Sequence, residues 1–261
     1  MTHASESGHW YDHQGNPVWE VTGAKGQKVK PDLRHARKLG LLPGVSSISR
    51  CAAAPGLEIY KVKQAVLSAL TLARRDGESD ESYLYRIELD SQERGKKAAE
   101  RGTAIHTAIQ GHFQGEAPDP EFWPYVKIVA ELVQDRCGEQ QWKAEQSFGH
   151  VAGYGGKADL SCEAWLLDFK SKDAADMDNP DKKLVWDDHP QQLAAYRRGL
   201  EIPKARCANV FISREEPIIA KFCEHAPEDL GRGLEMFDAL LYYWQVKSRY
   251  DSSFYDEKAA A

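Results

Sequence analysis

The sequence predicts an α/β fold of the α+β kind, with a mainly helical N-terminal half and a sheet built from the C-terminal half. Three observations predict it. Apolar residues recur at helical spacing through much of residues 55–137, short β-compatible runs bounded by glycine take over after Gly138, and the order from there is three strands, helix, two strands, helix. Preceded by a helix, that order fits an α/β sandwich better than a doubly wound βαβ array.

The elements follow in chain order. Residues 1–50 read as an accessory region, with alternating patches around Trp10, Tyr11, Val18, Trp19 and Val21 and a turn at Gln14-Gly15-Asn16-Pro17, which together predict a hairpin. A short helix over Leu33 to Leu41 is stopped by Gly40 and Pro43. Pro55-Gly56 opens a helix whose apolar positions, Leu57, Tyr60, Val62, Ala65, Val66, Ala69 and Leu70, recur at three and four residues. Helix-favouring sequence resumes from Glu81 through Phe113, with a break expected near Gly95, and Phe122 to Cys137 forms another helix. Gln141 to Phe148, Lys157 to Cys162 and Ala164 to Lys170 read as a three-stranded antiparallel meander. A helix over Asp187 to Leu200, strands over Ala208 to Ser213 and Ile218 to Phe222, and a helix over Pro227 to Lys247 complete a single domain spanning 51–250. Residues 251–261 read as a tail, disordered at Lys258 to Ala261.

With 261 residues and 42% hydrophobic content, the chain can bury a substantial core. No segment approaches the roughly 20 apolar residues that cross a bilayer, and the first residues lack the apolar stretch of a secretory signal. A soluble cytoplasmic protein with no membrane partner is expected. The five cysteines, Cys51, Cys137, Cys162, Cys207 and Cys223, contain no CxxC pair and no zinc-ligand spacing, which favours reduced thiols. A net charge of −6 argues against a protein that coats nucleic acid, though residues 25–38 carry six basic side chains against one acid, Asp32.

The chemistry concentrates in Gly156-Lys157-Ala158-Asp159 and Asp168-Phe169-Lys170. Asp168 and Lys170, two apart on a strand, share a face, and the tight Cys162-Glu163-Ala164 connection can bring Asp159 to it. The neighbours Leu166, Leu167 and Phe169 make the strand core-like, so its charges should be partly buried. Burial of two carboxylates and an ammonium is costly unless they pair or bind a metal. Mg²⁺ takes oxygen ligands at ~2.0–2.1 Å and keeps several waters, so two aspartates and a main-chain carbonyl suffice to hold it against a phosphate. Lys170 would then orient or deprotonate the attacking water, or neutralise the phosphorane. Taken alone, the Asp168–Lys170 pair reads more readily as a strand-end ion pair on a solvated face, since the pattern is short and common, and it is the ensemble of motifs that reverses this.

Upstream, Gly102, His106 and Gln110 form one helical stripe beside Ile105 and Ile109, where Gly102 allows close backbone approach and His106 could reach a metal. A lone histidine beside an apolar stripe is more often a satisfied core residue than a ligand. Gln192 and Tyr196 share a helix face, suited to phosphate or catalytic-group contact and to base stacking, or to a packed helix edge.

Together, Gly102 to His106, Glu145, Gly156 to Asp159, Asp168-Phe169-Lys170 and Gln192 to Tyr196 resemble the ordered motifs of the PD-(D/E)XK nuclease superfamily. The likeness is to its RecB-like exonuclease branch, near phage-type exonucleases and the mitochondrial genome maintenance exonuclease. Leu42 to Ile48 and Pro55-Gly56-Leu57 extend it over most of the chain. The resemblance implies a central mixed sheet flanked by helices, a restriction-endonuclease-like core, with single- or double-stranded DNA ends as substrate and Mg²⁺ or Mn²⁺ as cofactor. It implies that Asp159, Asp168 and the Phe169 main-chain carbonyl bind metal with His106, and that Lys170 and Glu145 are catalytic. Arg101, Thr103, Gln192 and Tyr196 are expected to face nucleic acid. A single-strand-binding or recombination protein is the expected partner, in phage or bacterial recombination, repair or replication. Two departures matter: Gln110 stands where many relatives carry an acid, and the iron–sulfur cysteines are absent, so no cluster is expected. The same core also serves sequence- or structure-specific endonucleases, and a catalytically silent DNA-binding protein is the reading from another class.

Overall fold

The computed structural model describes residues 9–254. In chain order the elements are β1 (Trp10–Tyr11), β2 (Pro17–Val18), β3 (Val21–Thr22), β4 (Lys28–Val29), α1 (Leu33–Leu39), β5 (Leu42–Pro43), α2 (Val45–Ser49), α3 (Pro55–Thr71), α4 (Asp80–Phe113) and α5 (Trp123–Cys137). There follow β6 (Lys143–His150), β7 (Tyr154–Ser161), β8 (Trp165–Lys172), α6 (Ala174–Asp178), α7 (Asp188–Gly199), β9 (Arg206–Ser213), β10 (Ala220–Glu224) and α8 (Pro227–Ser248). The five long strands form one sheet in the order β10-β9-β8-β7-β6. Only β8 and β9 run parallel, so the sheet is mixed and the fold is α+β, as the element order predicts.

Helices cover both faces. Ile105 and Ile109 of α4 and Val126, Val129 and Val133 of α5 pack on Leu160, Leu167, Phe169, Val210 and Ile212. On the other face, Val45 and Ile48 of α2, Leu193 and Ala194 of α7 and Phe237 and Leu241 of α8 pack on Phe148, Tyr154, Ala158 and Leu166. Each large apolar side chain fully withdrawn from water in these layers contributes about 1.5–3 kcal/mol.

The alternation of faces breaks at one row. On β6, Ala144 belongs to the α4/α5 layer and Phe148 to the α7/α8 layer; on β7, Leu160 and Ala158 divide the same way. Between them lie Glu145 and Asp159, opposite one another in register though the ladder skips them. Glu145 takes a left-handed backbone, φ 58°, which costs a non-glycine residue on the order of 1–2 kcal/mol. The outer half of the β6–β7 hairpin is thereby turned onto α7, and β7 parts from β8 after Leu160–Leu167.

The N-terminal segment fills the space beside β7. The hairpin of β1 and β2 forms as expected and adds β5 as a third strand. Gly44 bridges Gly155 of β7, and the buried Val45 and Ile48 make residues 42–49 part of the main core. At the other end, Ser252 donates to the Gly153 carbonyl at 2.7 Å and the Phe254 amide to that of Val151 at 3.0 Å, so residues 251–254 are folded against the hairpin turn. Lys258 to Ala261 lie outside the described residues.

One expectation fails, and one helix forms as expected without a core to bury its stripe. The break at Gly95 does not occur, and α4 runs unbroken for 34 residues. One glycine costs a helix only about 1 kcal/mol relative to alanine, and ion pairs Asp90–Arg94, Glu93–Lys97 and Lys96–Glu100 bracket it at the stabilising spacing. The apolar stripe of α3, in turn, meets no core: Leu57, Val62, Val66 and Leu70 are all more than half exposed. This helix leans on the first half of α4 through Tyr83, whose hydroxyl donates to the Leu72 carbonyl at 2.9 Å, and through Arg94, which reaches Thr71. No helix among the described residues is long and apolar enough to cross a membrane.

The buried His189 and the half-buried His150 make the fold sensitive to acid. Nδ1 of His189 accepts the Trp186 amide and Nδ1 of His150 that of Ala152, each at 3.2 Å. Burial, then Lys170 and Lys172, push His189 down to about 3; burial, then Arg198, pushes His150 down to about 4. Both are folded as neutral rings, whereas the unfolded chain binds protons from about pH 6.5 downward. Their stabilisation is therefore complete above that value and is lost as pH falls through it toward 4. The urea midpoint should drop between about pH 6.5 and 5, before most carboxylates titrate. His189→Asn, which keeps an acceptor for Trp186, should make that drop shallower; an unchanged slope would remove His189 from the account.

Candidate active site

The split between β7 and β8 gathers the charged residues. Asp159 is 6% exposed and Asp168 3%. Past the last rung of the ladder, the Asp159 carboxylate enters the gap and accepts the Phe169 amide at 2.7 Å. Its other oxygen accepts the Gln110 side chain of α4 at 3.0 Å. Asp159 thus replaces the ladder bond that β7 can no longer make, and it sits against the peptide between Asp168 and Lys170.

Asp168 and Lys170 point to the α7 face, as their spacing predicts. Lys170 Nζ lies 2.8 Å from Asp168 Oδ2 and donates to Gln192 Oε1 at 3.0 Å. Gln192 Nε2 lies within donating distance of Asp168 Oδ1, at 3.1 Å, and of the Tyr196 hydroxyl, at 2.9 Å. Behind Asp168, Asn209 of β9 donates to Oδ2 at 2.6 Å. That fixes the Asn209 carbonyl as the acceptor for His225 Nε2, 2.6 Å away, so the imidazole donates. The second carboxylate is therefore held from three elements at once.

Two motif glycines have steric reasons. A Cβ at Gly102 would run into Ser171 Oγ, so the glycine lets α4 lie against the end of β8. A Cβ at Gly156 would sit 2.7 Å from the Phe148 ring and 2.8 Å from that of Tyr196, and its absence seats α7 on the hairpin.

His106, one turn before Gln110, lies on the α4 face with its ring centroid 6.1 Å from that of Phe169. With Thr103, Gln110, Glu145, Lys157 and Ser171 it lines a cavity of about 400 Å³. Glu145 forms an ion pair with Lys157, so the strand glutamate meets a lysine and not the aspartates. Arg101 is engaged elsewhere: it pairs with Glu121, lies 4.8 Å over the Phe122 ring and 3.4 Å from the Tyr125 hydroxyl, and ties α4 to α5. Tyr196 is buried, its ring edge-on to Phe148. It supports Gln192 and offers no face to a base.

The donor set suits a hard cation. Among the described residues no three His, Cys, Asp or Glu side chains cluster as metal ligands, so the expected grouping of His106 with Asp159 and Asp168 is not formed and the expected set reduces to the two carboxylates and the Phe169 carbonyl. Mg²⁺ is content with one or two carboxylates because it retains waters and takes further oxygens from a phosphate. Each carboxylate has about four acceptor positions, so the bonds described above leave room for a metal on both. Sequence reasoning missed Asn209, Lys157 and the role of Gln110. Gln110 stood out only as a departure from the usual acid; here its amide holds Asp159 as an acceptor.

No protein-family profile matches the chain, and no curated protein matches it. Among solved structures, a protein from Eubacterium rectale provisionally named an exonuclease is similar at a TM-score of 0.41 and 14% identity, over 56% of this chain and 67% of that one. An alkaline exonuclease from Laribacter hongkongensis is similar at a TM-score of 0.28 and 16% identity, over 59% of this chain and 87% of that one.

Proposed function

We propose that this chain is a divalent-metal-dependent phosphodiesterase and, more narrowly, a DNA exonuclease using Mg²⁺ or Mn²⁺. One arrangement carries the reading: two buried carboxylates and an ammonium are gathered about the Phe169 peptide where β7 leaves β8. Carboxylates so withdrawn from water are costly, and helix side chains from both faces of the sheet, Gln110 and Gln192, are spent on fixing them. The preference for ends rests on the motif order and its likeness to the exonuclease branch.

In this reading Asp159, Asp168 and the Phe169 carbonyl hold the cation, which when bound activates water and draws charge from the scissile phosphate. Hydrolysis joins a water oxygen to phosphorus and releases the sugar oxygen. Lys170, held by Asp168 and Gln192, aims its ammonium at the attacking water or at the charge growing on the phosphate. His106, Thr103 and the Glu145–Lys157 pair line the channel for the strand. Asn209 and His225 position Asp168 from behind.

End-labelled single- and double-stranded oligonucleotides, run beside a covalently closed circle in Mg²⁺, Mn²⁺ and EDTA, test the reading. Linear DNA should be shortened from its ends in either metal, spared in EDTA, and the closed circle left intact. Cutting of closed circles at a comparable rate would make the protein an endonuclease. DNA binding without cleavage in either metal would make it a binding protein.

A further inference from the structure

Among the described residues of the N-terminal segment, Trp19 alone lines the cavity with His106, Glu145 and Lys157, and it is 44% exposed. It lies between β2 and β3, outside both strands. A single exposed tryptophan is ordinary on a protein surface, but this one faces into a recess that already holds polar and charged side chains. Its position is also fixed. The His9 ring packs perpendicular to the indole with centroids 4.4 Å apart, the His9 carbonyl accepts the Gly44 amide at 3.0 Å, and Gly44 bridges Gly155 of β7. The indole is thus linked through His9 and Gly44 to the strand that carries Lys157 and Asp159.

The cavity has α4 as one wall and the Glu145–Lys157 row as the other. At about 400 Å³ it stands near the small end of ligand sites, ~300–1,000 Å³, room for one nucleotide but not for a base pair. An aromatic ring at such a place is suited to stacking, which is indifferent to base identity because every base presents a π-face.

We infer that Trp19 is the stacking platform for an unpaired nucleobase in this cavity, which meets the proposed centre through Gln110, the partner of Asp159, and that the substrate is a DNA strand single-stranded at this position. The inference rests on the nuclease reading for the place of the phosphate. Trp19 touches the base and not the reacting atoms, so its loss should appear in binding and KM more than in kcat.

The test uses the full chain and a fluorescein-labelled single-stranded oligonucleotide, with anisotropy read in Ca²⁺ and initial rates in Mg²⁺. Trp19→Ala should weaken binding and raise KM by about ten-fold, while Trp19→Phe, which keeps an aromatic face, should stay within about three-fold of the wild type. An oligonucleotide lacking the terminal base should bind the wild type as weakly as the intact one binds Trp19→Ala, and should show no further loss with that variant. A blunt duplex should bind the wild type less well than the single strand. Equal KM for wild type and Trp19→Ala, or a ten-fold loss that persists on the abasic strand, overturns the stacking role. Cleavage that ignores Trp19 would sink only this inference; Trp19-dependent binding without cleavage would sink only the nuclease reading.

Discussion

Asp168→Asn should leave the fold standing and reduce DNA cleavage by about 10³-fold or more, the scale expected when a group acting on the transition state is removed. The carboxylate accepts from Lys170, Gln192 and Asn209 at once. An asparagine keeps the shape and one acceptor oxygen but turns an NH₂ toward a donor. That unsatisfied contact should cost about 1–3 kcal/mol of stability, enough to see in a melt and not enough to unfold a chain of this size. Asparagine is the more informative change, because alanine would leave the Asn209 amide and the Lys170 ammonium without the acceptor they share. The catalytic loss is separated from the stability loss by metal linkage. A cation that binds only the folded state raises Tm by an amount set by its concentration over Kd. Wild type should gain Tm on adding Mg²⁺ to EDTA-treated protein, and Asp168→Asn should gain little. Near-normal cleavage, or an undiminished Mg²⁺ shift, would remove Asp168 from the site.

Much of this centre was legible because its geometry is local. Two residues apart on a strand fixes a common face, and Lys170 does meet Asp168. Four apart on a helix fixes another, and Gln192 does meet Tyr196. The three-residue connection between β7 and β8 sets the strands in register and puts Asp159 beside the pair, but the expectation that it brings Asp159 to the face of Asp168 and Lys170 does not hold, because its carboxylate is held in the strand gap by the Phe169 amide and by Gln110 of α4 while the pair meets Gln192 of α7. Its actual route could not be read. Equal register puts Asp159 opposite Asp168, but the left-handed Glu145 across the hairpin and the parting of the ladder send its carboxylate to a main-chain amide and to α4. Asn209 was invisible for another reason: it meets Asp168 through parallel pairing of β8 and β9, 41 residues away, and nothing local marks it. Two helices show what local signals leave out. Periodicity reports what a helix could bury, not whether a partner exists, so the helix over α3 was legible and the exposure of its apolar stripe was not. Glycine reports a local cost, which the ion pairs around Gly95 outweigh.

Lys170→Met should lower cleavage by about 10²–10⁴-fold, the range for a group that moves a proton or stabilises developing charge, while strengthening metal binding. The methionine keeps most of the unbranched stem, so packing against the strand is retained and the change is chiefly one of charge. Lys170 now neutralises a carboxylate whose side chain is 5% exposed. Removing one partner of a buried pair leaves the other uncompensated and destabilises the fold. Asn209 and Gln192 still donate to Asp168, which limits the loss in EDTA. A divalent cation replaces the missing positive charge at the same carboxylate and no longer has to be bound beside an ammonium. The Mg²⁺-induced rise in Tm should therefore be larger in Lys170→Met than in wild type, while activity stays low at saturating metal. The two readouts must move in opposite directions if Lys170 acts on the substrate and Asp168 on the metal. Should activity return at high Mg²⁺, the lysine serves only to tune cation affinity; should the Tm response match that of the wild type, its charge does not reach the metal position, and the pair reverts to a strand-end salt bridge.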